Sequence, residues 1–237
     1  MTESKAMTRA GIVLIACSLA FVAVFAYLGK AFGYPKVLQL EADCVLPALL
    51  AGGTKLRAVW FIYAALPLGI VFAGASSAPL LARASRRLRR IGVAAAVAAG
   101  FAMATGLLRW PTLEWKLARA WAAADHPQAR HALADAFDSS NFVLGNVVGE
   151  FVGEICLAVW FLTIALAFRA DGRRVLAGIG AAAAIVLAMA AFRNLTPAVA
   201  LVAQISNVTL PLWLLTLGIV FLRDGVRGRL EPRPVGR

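Results

Sequence analysis

The sequence predicts an all-α protein, a single polytopic bundle of six transmembrane helices with amphipathic helices in one outer loop. Three observations predict it. Of 237 residues, 61% are hydrophobic and 15% charged, against about 45–50% and about 25% in soluble domains, and mean hydropathy is +0.79. The apolar residues collect in Ala/Leu/Val-rich runs near the roughly 20 residues a helix needs to cross a bilayer, without the period-2 alternation of a barrel. The 24 basic residues, against 12 acids, segregate into alternate loops.

The first run, about 11–29, follows Lys5 and Arg9, and Val24-Phe25-Ala26 resembles a weak signal-peptide cleavage site. Its apolar stretch exceeds the usual h-region of about 7–15 residues, so it reads as a retained span. Residues 30–57 contain Pro35, Pro47 and Gly52-Gly53 and read as an irregular loop with a short helix. Spans two and three are about 58–82 and 91–108, with Pro67 and Pro79 expected to kink the second. In 109–141, Trp110, Leu113, Leu117 and Trp121 recur at three and four. That is an amphipathic stripe, and Trp110, Trp115 and Trp121 suit a membrane interface. Pro127 fits a first helical position, so 127–139 reads as a second short helix running into span four, about 142–168. Spans five and six are about 174–192 and 198–222, with Pro211 a kink in the sixth. Together they make one integral domain over 1–237.

Loop charge orients the bundle. Lys5 and Arg9, the five arginines of 83–90, Arg169, Arg173 and Arg174, and the five arginines of the tail fall on one side if both termini are cytoplasmic. That side then holds 15 basic residues against four acids, and the outer side nine against six. The positive charge is a topology signal with the bilayer as partner. It is not a nucleic-acid footprint, since no basic domain with interleaved aromatics exists.

The two remaining acids lie inside the membrane. In span four, Gly145, Gly149 and Gly153 recur every four residues and form a smooth ridge for close helix packing, within the chain or between two copies in a homodimer. Asn146, Glu150 and Glu154 recur likewise, about 100° round the helix. Glu150 lies about 12 Å and Glu154 about 18 Å below Phe142. Carboxylates at that depth cost at least about 2.5 kcal/mol, so they must face the interior and be protonated or paired. Arg109 or Arg193 is expected within ion-pair reach; Gln204 and Asn207 on span six supply neutral partners, with Ser76, Ser77 and Thr105 behind them. A buried network that only sets helix register, a ligand cavity or ion path, and an acid/base pair all remain open readings. Arg109 also has the plainer reading of a side chain snorkelling to headgroups.

His131, Asp135 and Asp138 share a helical face near Asp125 and His126, but the spacing matches no metal motif and reads as a solvated polar face. Cys17, Cys44 and Cys156 show no paired spacing, and Cys156 reads as a core residue. No P-loop, GxSxG or HExxH is present, and no cofactor is indicated.

At Arg109-Trp110-Pro111, at Gly149-Glu150-Phe151-Val152-Gly153 with Leu157 and Trp160, and at Pro211-Leu212-Trp213 with Leu217-Gly218, the chain resembles the bacterial domain-of-unknown-function 4386 family. The resemblance implies a six-helix, multi-pass protein of the bacterial inner membrane. That family's pattern often has a His after the Glu and an aromatic at the position of Glu154. Phe151 and Glu154 stand here instead, which turns the expectation away from a His/Glu metal or proton site. The expected function is binding of a small ligand, lipid or protein partner near the Asn/Glu ladder. The alternatives are a small proton- or ion-coupled transporter using the carboxylates, or an intramembrane enzyme on a lipid or quinone.

Overall fold

The computed structural model describes residues 3–228. Arg229, Glu231, Arg233 and Arg237 of the basic tail lie outside the described residues. Among these the chain is helical and contains no strand. Eleven α-helices are described: α1 (Glu3–Phe32), α2 (Ala42–Ala51), α3 (Gly53–Ala65), α4 (Leu68–Ser76), α5 (Ala78–Ala84), α6 (Arg86–Leu108), α7 (Trp115–Ala122), α8 (Pro127–Ser140), α9 (Gly153–Ala170), α10 (Arg174–Ala190) and α11 (Ala200–Val226). Two π-helical stretches, Trp110–Glu114 and Asn141–Val152, join α6 to α7 and α8 to α9 without a break.

Among the described residues, five helical segments are long and apolar enough to cross a membrane: Glu3–Phe32, Gly53–Ser76, Arg86–Ala122, Pro127–Ala170 and Pro197–Val226. The fifth expected span, about 174–192, differs. Its helix α10 has 17 residues, a rise of about 26 Å against a core of about 30 Å. Positive-φ Gly172 turns the chain just before it, and at its far end the backbone loosens into turns at 191–195.

Prolines break the second span as their chemistry requires. Pro67 precedes α4 and Pro79 sits in the first turn of α5, positions where a missing N–H costs nothing. Ser85 then caps α6, its hydroxyl accepting from the amides of Arg87 (3.0 Å) and Leu88 (3.4 Å).

The long helices pack antiparallel. The Ser18 hydroxyl donates to the Pro211 carbonyl at 2.6 Å, and Ser4 bonds the Gly225 carbonyl. Between these, Gly11 and Gly218 bring α1 and α11 together. A Cβ on Gly11 would lie 2.6 Å from the Gly218 oxygen, the close approach small residues permit. Gly92 meets Thr163 and Gly149 meets Gly106, so α6 runs against the α9 rod. Gly74 meets Ala96 and Gly100 meets Val71, so α4 runs against α6. It follows that the start of α1, the 85 turn, the 171–173 turn and the end of α11 share one end of the bundle. There Arg173 bonds Asp171 (2.8 Å) and the buried Asp224 (2.5 Å).

The core has two parts. One fills the arginine-rich half, with Met7, Leu81, Trp160, Phe161, Phe168 and Phe221 almost wholly enclosed. The other caps the opposite end with Phe32, Leu46, Trp60, Trp110, Trp115 and Phe137. Trp110 and Trp115 were expected at an interface. They are buried instead, because α2 and α3 fold over them; Trp110 stacks on Trp60 at 4.9 Å and 16°.

Candidate functional site

The polar residues of the membrane region gather into two clusters beside one cavity. Pro111 builds the first. It has no N–H to return to α6, and its ring crowds the carbonyl four residues back. The helix widens, and the Glu114 amide reaches the Arg109 carbonyl at 2.9 Å. On an α-helix these residues would sit about 140° apart; on the wider turn their side chains meet. Arg109 Nη1 bonds Glu114 Oε1 at 3.0 Å, with both side chains almost completely enclosed. Ser140 donates to the same carboxylate oxygen at 2.7 Å. Arg109 Nη2 reaches Asn141 Oδ1 at 2.7 Å and Arg109 Nε the Gly106 carbonyl at 3.1 Å. Arg109 is therefore a buried structural cation and does not snorkel.

The glycine ridge makes this arrangement possible. A Cβ on Gly145 would fall 2.7 Å from Arg109 Nη2, so the guanidinium occupies the space a side chain would take. Gly149 faces Gly106 backbone to backbone, and Gly153 faces Met103. The ridge is thus covered by α6 of the same chain and offers no open seam to a second copy.

Glu150 and Glu154 form the second cluster with Arg193, one of the two expected ion-pair partners; the other, Arg109, pairs with Glu114. Arg193 Nη2 bonds Glu154 Oε1 directly, and its Nε lies 3.9 Å from Glu150 Oε2. Asn194 donates to Glu150 Oε2 at 2.6 Å. Arg193 is braced by the Ala190 carbonyl (3.0 Å) and the Ser206 hydroxyl (3.5 Å). Both carboxylates therefore face protein, as the cost of their depth demands. Of the residues expected on span six, Asn207 lines the cavity whereas Gln204 is exposed; Ser206 takes the bonding role. Asn146 is half-buried and lies outside the cavity lining.

The cavity, of about 110 Å³, lies between the two core clusters. Its lining is largely apolar, including Leu14, Ile70, Met103, Leu210 and Leu214, and its polar members are Arg109, Glu150, Glu154, Arg193 and Asn207. Tyr34, Tyr63, Phe21 and Trp110 are its aromatic members. Tyr34 lies between α1 and the helical turn Lys36–Gln39. Burial, reinforced by the Glu150 carboxylate, pushes its hydroxyl up to about 12, so it remains protonated and able to donate.

Sequence reasoning missed Glu114, Ser140, Asn141, Asn194 and Ser206. The signal for Glu114 was Pro111: a proline between two helical stretches licenses contacts at five residues, where α-periodicity looks at three and four. His131 pairs with Asp135 at 3.8 Å on an exposed face, in a wide groove also bordered by Glu41, Asp43 and Asp125.

Comparison with protein-family models, with curated proteins and with solved structures finds no match to this chain.

Proposed function

We propose that the chain is a six-pass membrane protein with both termini cytoplasmic, and that it binds a small amphiphilic ligand in the cavity beside Glu150, Glu154 and Arg193. The observation that carries this reading is the make-up of the cavity wall, mostly apolar side chains with a few ion-paired groups among them. Sites that are mostly apolar with a few convergent polar groups are the usual form of small-molecule pockets. The six passes rest on the antiparallel packing of α10 between α9 and α11 and on the clustering of arginines at one end. In this reading α10 crosses with help from the turns that follow it. A bacterial inner membrane is the setting that the resemblance to the 4386 family implies.

Transport would require a route to the arginine-rich end, and Trp160, Phe161, Phe168 and Phe221 fill that half. Enzymatic action would require a nucleophile or metal set held against the carboxylates, and among the described residues no hydrogen bond joins Cys17, Tyr34 or Tyr63 of the cavity lining to Glu150 or Glu154.

The test is native mass spectrometry of the protein extracted in mild detergent. A retained small amphiphile is expected, and Leu210→Trp, which fills the cavity, should abolish its retention. A wild-type protein that never carries a ligand, or a Leu210→Trp variant that retains it undiminished, would overturn the reading.

A further inference from the structure

The carboxyls around the cavity outnumber the cations. Arg109 is matched by Glu114. Arg193 alone faces both Glu150 and Glu154, which leaves the second carboxyl without a cation of its own. Glu154 is 8% exposed and lines the cavity. Its Oε1 takes the Arg193 bond, while its Oε2 is enclosed and has no hydrogen-bond partner among the described residues. A buried carboxylate oxygen without a donor costs roughly 1–3 kcal/mol, more for a charged group. The site thus lacks a second cation and one donor, at neighbouring points.

The aromatic part of the lining suits a cation as well. Tyr34, Tyr63 and Phe21 line the cavity, and Tyr34 packs edge-on to Tyr63 at 5.9 Å and 87°; the Trp110 ring is already taken by the Arg109 guanidinium, 4.6 Å from its centroid. Aromatic walls of this kind attract ammonium groups through the ring quadrupole. An anionic head would instead meet the carboxyl that has no cation of its own, and a neutral alcohol would supply a donor but no charge.

We infer that the cavity takes a small amphiphile with a protonated-amine head, the ammonium N–H donating to Glu154 Oε2 and the apolar body lying along Leu14, Ile70, Leu210 and Leu214. This rests on the ligand-binding reading above and names the class of ligand. Size narrows it further. One water occupies about 10–15 Å³ on this volume scale, so the cavity holds on the order of ten non-hydrogen atoms. That is a short alkyl or aralkyl amine. An ethanolamine lipid carries the same head, but only that head fits.

The experiment uses the full chain in phosphatidylcholine nanodiscs, titrated calorimetrically with octylamine, octanol and octanoate, with empty nanodiscs subtracted for partitioning. Octylamine should bind at least tenfold more tightly than either comparator. Glu154→Gln should weaken octylamine at least tenfold and leave octanol unchanged. Equal or tighter binding of octanol or octanoate overturns the amine assignment while leaving a ligand cavity. Failure of all three probes overturns the cavity reading itself. If Glu154→Gln does not fold, the three-way comparison on the wild type still decides. In nanodiscs containing phosphatidylethanolamine, retention of that lipid and its displacement by octylamine would support the same head chemistry from a lipid source. Retention that octylamine cannot displace would overturn the shared site.

Discussion

Arg109 shows how much of a membrane protein's polar interior is decided by single side chains. Its charge is met by Glu114 and its remaining donors by Asn141 and the Gly106 carbonyl, and Gly145 leaves the space. Removing one partner of an enclosed pair costs about 3–5 kcal/mol, because the other charge stays behind unpaired. Arg109→Leu should therefore lower the thermal unfolding midpoint sharply, and adding Glu114→Leu should recover most of the loss. A double variant as unstable as the single one would show that the pair does not act as a unit. At this scale the sequence was informative where periodicity holds. Glu150, Glu154 and Arg193 were legible because two carboxylates one turn apart in an apolar run must face inward and find a cation. Asn194 and Ser206 were not, since a polar residue beside an expected partner looks the same whether it points in or out.

A proline opens a helical turn between α6 and α7, and the opened turn is what joins Arg109 to Glu114. The usual rule is that proline in a helix interior costs about 3 kcal/mol, so Pro111→Ala would ordinarily stabilise. Here it should destabilise, because regaining the N–H favours the narrower α turn and swings Glu114 away from the guanidinium. Thermal unfolding in detergent decides the sign, and a raised midpoint would refute the role given to the wide turn. The same element explains where element-level reading succeeded and where it fell short. The two short helices were legible from stripe spacing and from Pro127. Their fusion with the long rods was not, because α-periodicity has no register for a π turn. Nor was the burial of Trp110 and Trp115, which depends on α2 and α3 arriving from a distant part of the chain.

Across the described residues, the 85 turn, the 171–173 turn, the start of α1 and the end of α11 share one end. In a background lacking Cys17, Cys44 and Cys156, His131→Cys should react with a membrane-impermeant maleimide on intact cells, and Arg87→Cys only after permeabilisation. The reverse pattern would invert the proposed topology. The length of α10 was the feature least legible in advance, since hydropathy runs on past residue 190 although the helix does not. The division of the core into two clusters has a consequence for how the protein opens. Local unfolding follows cooperative units, and the boundary between these two units is the cavity itself. Amides of the capping unit, in α2, α7 and α8, should exchange hydrogen faster than those of α9 and α11 in the arginine-rich half. An occupant of the cavity touches both units, so it would act as mortar between them and slow that exchange without altering a single backbone contact.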